Sequence, residues 1–151
     1  MTTPLFEEQQ SFAAIKTISL IAIVCAIVWY IAGTKSNVEI FTVGIVILIG
    51  LLMMAGFRNF KTEVSATALR FGFPLYRKRL PLNGLEVGEI RPIRFWYGWG
   101  VHYIRGIWVW NARLGRGVLV QSGGKKYLIG SEQPERLQSV LRERISVTAR
   151  S

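Results

Sequence analysis

At 151 residues the chain has room for one or two compact units; half of it is hydrophobic and its net charge is +10. One cysteine, one histidine and no aspartate exclude an intrachain disulfide and a cysteine-built metal cage. In residues 58–151 a hydrolase or metal site would have to be assembled from six glutamates and His102.

The charge is unevenly placed. Residues 1–57 hold two basic residues against three glutamates, net −1, whereas residues 58–151 hold 17 against six, net +11. The first sixteen residues are acidic up to Lys16, unlike the basic start of a cleaved signal peptide. Two runs then follow, 17–33 and 40–57, with no Asp, Glu, Lys or Arg. At about 1.5 Å per helical residue they extend roughly 25 and 27 Å, close to a hydrocarbon core of about 30 Å. Helices are predicted over about 13–33 and 39–57, so that residues 1–57 form an N-terminal segment and a transmembrane hairpin.

The short link 34–39 can join only antiparallel helices, and its one basic residue is Lys35. Arg58, Lys61, Arg70, Arg77, Lys78 and Arg79 follow the second run. Because positive residues stay inside, a two-pass protein of the cytoplasmic membrane is expected, with both termini cytoplasmic. Trp29 and Tyr30 mark the outer boundary, Phe12, Phe57 and Phe60 the inner one, and Lys16 can snorkel inward. Ala22 and Ala26, with Gly44, Gly50 and Gly56, allow close helix approach, either between the two helices or in a homodimer. Neither run carries an ionisable residue of the kind that lines an ion path.

From Glu63 the pattern changes to short strands. Residues 68–73 alternate, with Leu69, Phe71 and Phe73 on one face and Arg70 on the other, and Pro74 ends the run. Segments 79–82 and 85–90 flank Asn83–Gly84, a strong hairpin pair that is also compatible with a short helical turn. Segments 107–112, 117–121 and 125–129 read as three more strands, with turns at 113–115 and 122–124. Six or seven short strands predict a β-sandwich or barrel. Pro134 suits a first helical turn, Glu132 and Glu135 complement its dipole, and Leu137, Val140, Leu141 and Ile145 follow helical spacing. One amphipathic helix over about 133–145 thus caps a β domain covering 58–151.

The stretch from Tyr97 to Leu141 carries a resemblance. It contains Tyr97-Gly98-Trp99-Gly100-Val101, a strand ending Trp110-Asn111, the turn Gly115-Arg116-Gly117-Val118, and Gly123-Gly124-Lys125. It closes on Leu128-Ile129-Gly130-Ser131-Glu132-Gln133-Pro134. This resembles the pleckstrin-homology-like domains of bacterial membrane proteins, in which two helices commonly precede the domain. The resemblance implies a small β-sandwich or barrel capped by one C-terminal helix, and a membrane address. It implies no agreed activity.

Chemistry is sparse. His102 lies in a Trp/Tyr-rich stretch without a nearby acid, and Glu86 and Glu89, three apart in a predicted strand, should point to opposite faces. Gly98, Gly100, Gly115 and Gly117 match neither a phosphate-loop nor a dinucleotide pattern. No catalytic, cofactor or metal site is expected, nor a small-molecule substrate, and no nucleic-acid motif is present. The excess lies elsewhere: Phe95, Trp96, Tyr97, Trp99 and Tyr103, beside Arg91, Arg94 and Arg105, form either core or an interfacial patch. One of the alternating faces, Ile107/Val109 or Trp108/Trp110, should be core. Candidate contacts to anionic lipid or a partner are Arg77, Lys78, Arg79, Arg58, Lys61, Arg94, Trp96, Trp99 and Arg105.

The sequence therefore reads as a non-enzymatic, membrane-anchored binding or scaffold module. Its basic domain would contact the bilayer, a protein partner or a second copy. The alternative is an accessory subunit of a larger membrane complex, with the hairpin as its interface. An enzyme would require a polar pocket joining His102 to Glu86 or Glu89.

Overall fold

The structure, a computed structural model, describes residues 4–11, 13–33 and 36–148, without the side chain of Ala14. The expectations for Phe12 and Lys35 lie outside the described residues. The chain divides into two compact units: the helical pair Phe12–Arg58, and a β unit made of the residues up to Ser11 together with those from Asn59 onward.

In the helical unit, α1 (Ala13–Ala32) and α2 (Asn37–Gly56) are each 20 residues long, about 30 Å of helix. The second begins on a capping box. Glu39 N donates to Ser36 Oγ (3.3 Å) while Ser36 N donates to Glu39 Oε2 (3.0 Å), which satisfies two otherwise orphaned donors. Both helices are long and apolar enough to cross a membrane, and only 6 % of each span is buried. A soluble core helix hides its apolar side chains, and these leave Trp29, Ile31 and Phe41 exposed. The helices approach closely at Gly50, where a Cβ would lie 2.9 Å from Ile23 Cδ1. Ala22 and Ala26 line the crevice between the two helices, whereas Gly44 faces open space.

The β unit begins before the hairpin. Strand β1 (Phe6–Ser11) pairs antiparallel with β2 (Asn59–Val64), from Phe6 opposite Val64 to Ser11 opposite Asn59. This corrects the expectation that the whole of 1–57 stands apart from the β domain: the hairpin is an insertion in the β1–β2 connection. The segment escapes a hydrophobic pattern search because two of its three buried positions are Glu8 and Gln10.

The first sheet continues with β3 (Ala68–Phe73) and β4 (Tyr76–Pro81) in the order β1-β2-β3-β4. Pro74 does not merely end a strand, because Pro74 and Leu75 form a two-residue hairpin turn between the paired Phe73 and Tyr76. At Gly72 the backbone takes φ +138°, and a Cβ would meet Tyr76 O at 2.3 Å. Gly72→Ala should therefore cost about 1–3 kcal/mol, read as a lower Tm of the purified full-length protein.

The second sheet has the order β5-β8-β9-β7-β6, built from β5 (Glu86–Ile93), β6 (Gly100–Ile104), β7 (Ile107–Asn111), β8 (Gly115–Ser122) and β9 (Lys125–Ser131). Its pairs are antiparallel except β7–β9, which is parallel. Asn83–Gly84 is not a hairpin, since β4 and β5 belong to different sheets. Leu85 N donates to Leu82 O (3.1 Å) in a tight turn whose flanking leucines are both buried. Residues 113–115 also join strands that are not neighbours, because β9 lies between β7 and β8. The turn at 122–124 is the expected hairpin, with Ser122 opposite Lys125. Strand β6 was not legible in the sequence, where its aromatic and glycine content masks any alternation.

The two sheets enclose the core. Phe60, Val64, Leu69, Phe71 and Phe73 from the first meet Trp110, Val118, Val120, Tyr127 and Ile129 from the second, all buried. Phe71 sets its ring edge-on to Trp110 at 5.1 Å and to Tyr127 at 6.1 Å. Helix α3 (Pro134–Thr148) packs on β5, β8 and β9 and buries Leu137 and Leu141 completely.

Glu8 ties β1 to the start of α3. Ser131 Oγ donates to Glu8 Oε2 (2.5 Å), while Glu132 N (2.8 Å) and Gln10 Nε2 donate to Glu8 Oε1. Gln10 Nε2 also donates to Gly130 O (3.1 Å), and Ser131 Oγ accepts from Gln133 N (3.0 Å). A buried carboxylate is tolerable only because its lone pairs are occupied in this way.

Candidate functional site

The arginine-rich surface of the β unit falls into two regions. On the outer face of the first sheet, cross-strand pairing aligns Glu63, Arg70 and Arg79 in one row and Lys61, Gly72 and Arg77 in the next. Lys61 bonds Glu63 (2.5 Å) and Glu7 (2.9 Å), and these carboxylates, Glu63 foremost, raise its pKa above the ordinary 10.5. Lys61 is thus already committed within the sheet. Arg70, Arg77 and Arg79 form no ion pair among the described residues, so this end of the face is a bare cationic strip. Lys78, between them in sequence, points the opposite way, with its ammonium 6.0 Å from the Tyr127 ring centroid. The expected Arg77-Lys78-Arg79 cluster is therefore split between two faces. Arg58 is exposed and belongs to the helical unit.

The second region lies on the outer face of the second sheet. Trp110 faces the core, so Val109, one residue earlier, faces outward, and its partners Leu128 and His102 share that face. Ile93, Val109 and Leu128 form a small buried cluster there, with Tyr97, Ile104, Ile107 and Leu119 packed against it. The cover comes from the connection 94–99. It must link β5 and β6, which lie at opposite edges of the sheet, and it carries a 3-10 turn at Phe95–Tyr97.

Only Tyr97 of the first three aromatics turns inward. Phe95, Trp96, Trp99 and Tyr103 are exposed, at 73, 59, 46 and 63 %. This decides the question left open by the sequence: the aromatic stretch is surface, while Trp110, at 2 %, is the core tryptophan and Trp108 lies at the edge.

Beneath the connection is a cavity of about 620 Å³, lined by Arg91, Arg94, Trp96, Tyr97, Ile104 and Arg105. A neighbouring cavity of about 280 Å³ shares Arg91, Tyr97, Ile104 and Arg105 and reaches Val109 and Leu128. The guanidinium of Arg94 lies 5.0 Å from the Trp96 ring centroid, a cation–π arrangement. Arg91 Nε donates to Glu89 Oε1 (2.7 Å). No carboxylate lines either cavity. The fold thus brings Arg94, Trp96 and Arg105 together, leaves the candidate Trp99 outside the lining, and adds Arg91, Tyr97 and Ile104.

A site uniting His102 with Glu86 or Glu89 does not form. His102 is on β6 and the glutamates on β5, with three strands between them. The glutamates do not fall on opposite faces as alternation predicted. A bulge between Val87 and Ile90 resets the register, and both carboxylates are exposed. No cluster of three or more potential metal ligands occurs among the described residues. Comparison with known protein families, with characterised proteins and with solved structures finds no match to this chain.

Proposed function

We propose that this chain is a two-pass protein of the cytoplasmic membrane, with both termini inside. Its basic β domain, similar in plan to the pleckstrin-homology-like domains of bacterial membrane proteins, acts as a non-enzymatic binding module at the inner leaflet. The observation that carries this reading is the pairing of β1 with β2 across the inserted hairpin. Strands from both sides of the hairpin belong to one sheet, so both ends of the hairpin emerge on the same side of any bilayer. The chain then crosses twice or not at all, and the bare apolar surface of α1 and α2 favours twice.

The basic residues that follow the second helix closely, Arg58, Lys61, Arg70 and Arg77, against the single Lys35 of the link, support the cytoplasmic side for the β domain, because Lys and Arg flanking a span tend to stay inside. Two sheets and one C-terminal helix support the pleckstrin-homology-like plan, although here the helices follow the first strand. The binding partners that suit the domain are anionic: lipid headgroups, or an acidic face of another protein, met by the Arg70/Arg77/Arg79 strip and the arginine–aromatic edge.

Single-cysteine labelling tests the topology in a Cys25→Ser background. Asn37→Cys should react with a membrane-impermeant maleimide in intact cells, and Ser146→Cys only after permeabilisation. Alkaline carbonate should leave the chain in the membrane pellet. Labelling of Ser146→Cys in intact cells would reverse the orientation, and release by carbonate would end the anchoring reading.

A further inference from the structure

The geometry points to a discrete binding site for one anionic phospholipid in the cavity under residues 94–99. Its phosphate would lie against Arg94 and Arg105, and the start of its acyl region against Ile104 and the apolar floor. The inference deepens the membrane reading above and rests on it for the source of the ligand. Three features converge.

The first is size. A cavity of about 620 Å³ falls in the roughly 300–1,000 Å³ range of ligand pockets, and its smaller neighbour continues it down to Val109 and Leu128.

The second is polarity, which is graded. Three guanidinium groups line the mouth and only Arg91 has a carboxylate partner, so the rim carries about two uncompensated positive charges over an apolar floor. An amphiphile with one phosphate complements both ends, whereas a free inorganic anion would leave the floor unfilled.

The third is backbone strain. Arg105 and Gly106 form the two-residue turn between the paired Ile104 and Ile107, with φ +48° and +84°. Such a turn favours Asn-Gly or Gly-Gly, and a long side chain in the left-handed region is disfavoured. A strained arginine at the lip of a cavity is the kind of outlier from which a ligand role is inferred. Trp96, held by Arg94 and well exposed, suits the glycerol level of a membrane interface.

The test uses the full-length protein in a neutral detergent, read by native mass measurement. The probes are phosphatidylglycerol, diacylglycerol and glycerol 3-phosphate. One phosphatidylglycerol per chain should be retained in preference to diacylglycerol. Arg105→Gly, which relieves the turn and should not lower Tm, is expected to weaken retention about tenfold, as is Arg94→Gln. Arg79→Gln, on the other sheet, should leave it unchanged.

Equal retention by Arg105→Gly and the parent, or an equal loss in Arg79→Gln, would overturn the site in favour of diffuse attraction. Glycerol 3-phosphate binding as tightly as the lipid would overturn the lipid assignment. Carbonate extraction reports separately on anchoring, so an anchored chain without selective retention defeats this inference alone.

Discussion

Deleting the hairpin and joining Ser11 to Asn59 through an Asn-Gly turn is expected to give a soluble, monomeric β domain, whereas a chain started at Arg58 is expected to aggregate. Ser11 and Asn59 are opposed partners in the β1–β2 ladder, so two residues of the right turn type can close the gap. Cutting at Arg58 instead removes β1. The inner side of β2, with Phe60 and Val64 now at 0 % exposure, then becomes an open sheet edge beside uncovered core. Phe6 is lost as well, with the Arg136 guanidinium that lies over its ring left bare. Gel filtration and circular dichroism compare the two. A well-folded monomer from the Arg58 start, with a Tm equal to that of the joined variant, would mean that β1 contributes nothing to the domain.

Glu8→Ala should destabilise the β unit by roughly 3 kcal/mol or more. The carboxylate accepts from Ser131 Oγ, Glu132 N and Gln10 Nε2, and Glu8 is only 8 % exposed. Its removal strands donors that water cannot easily reach. Glu8→Gln should cost less, about 1–3 kcal/mol, because it keeps the shape but sets an amide N–H₂ against existing donors. The neighbouring Glu7→Ala is the contrast. Glu7 is nearly half exposed and shares Lys61 with Glu63, so its loss should fall below about 1 kcal/mol. Chemical denaturation of the hairpin-deleted domain gives the three values, and faster amide exchange at Leu137 would localise the Glu8 effect to the α3 start. Equal effects of Glu7→Ala and Glu8→Ala would remove Glu8 from the role assigned to it.

These two expectations rest on a segment that is mute as sequence. PLFEEQQS shows no strand pattern because its inward positions include Glu8 and Gln10, which are satisfied by groups more than a hundred residues away. The reverse holds for Ala68–Phe73 and for the helix after Pro134, whose apolar positions repeat at the period of their own structure. Asn83–Gly84 and residues 113–115 were legible as turns but not as crossings between non-neighbouring strands. Turn chemistry bends a chain without saying which strand it meets next.

The candidate site divides in the same way. An excess of aromatics and arginines around residue 95 was plain in the sequence, and Arg94, Trp96 and Arg105 were among its candidates. Their convergence on one cavity needed the 94–99 connection to run between opposite edges of a sheet. The burial of Trp110 likewise followed from which face of β7 meets Phe71, and the exposure of Trp96 from its place in the turn of that connection.

By itself, the sequence determined two helices that are apolar on every side, a basic β-rich remainder and a capping helix, since hydropathy and charge are local and additive along the chain. Tertiary structure alone decided that the hairpin interrupts the β domain, that the Arg77–Arg79 run splits across two faces, and that three arginines share an apolar-floored cavity. Strand pairing is a relation between distant residues, and its free energy lies in contacts and buried hydrogen bonds that no local window contains.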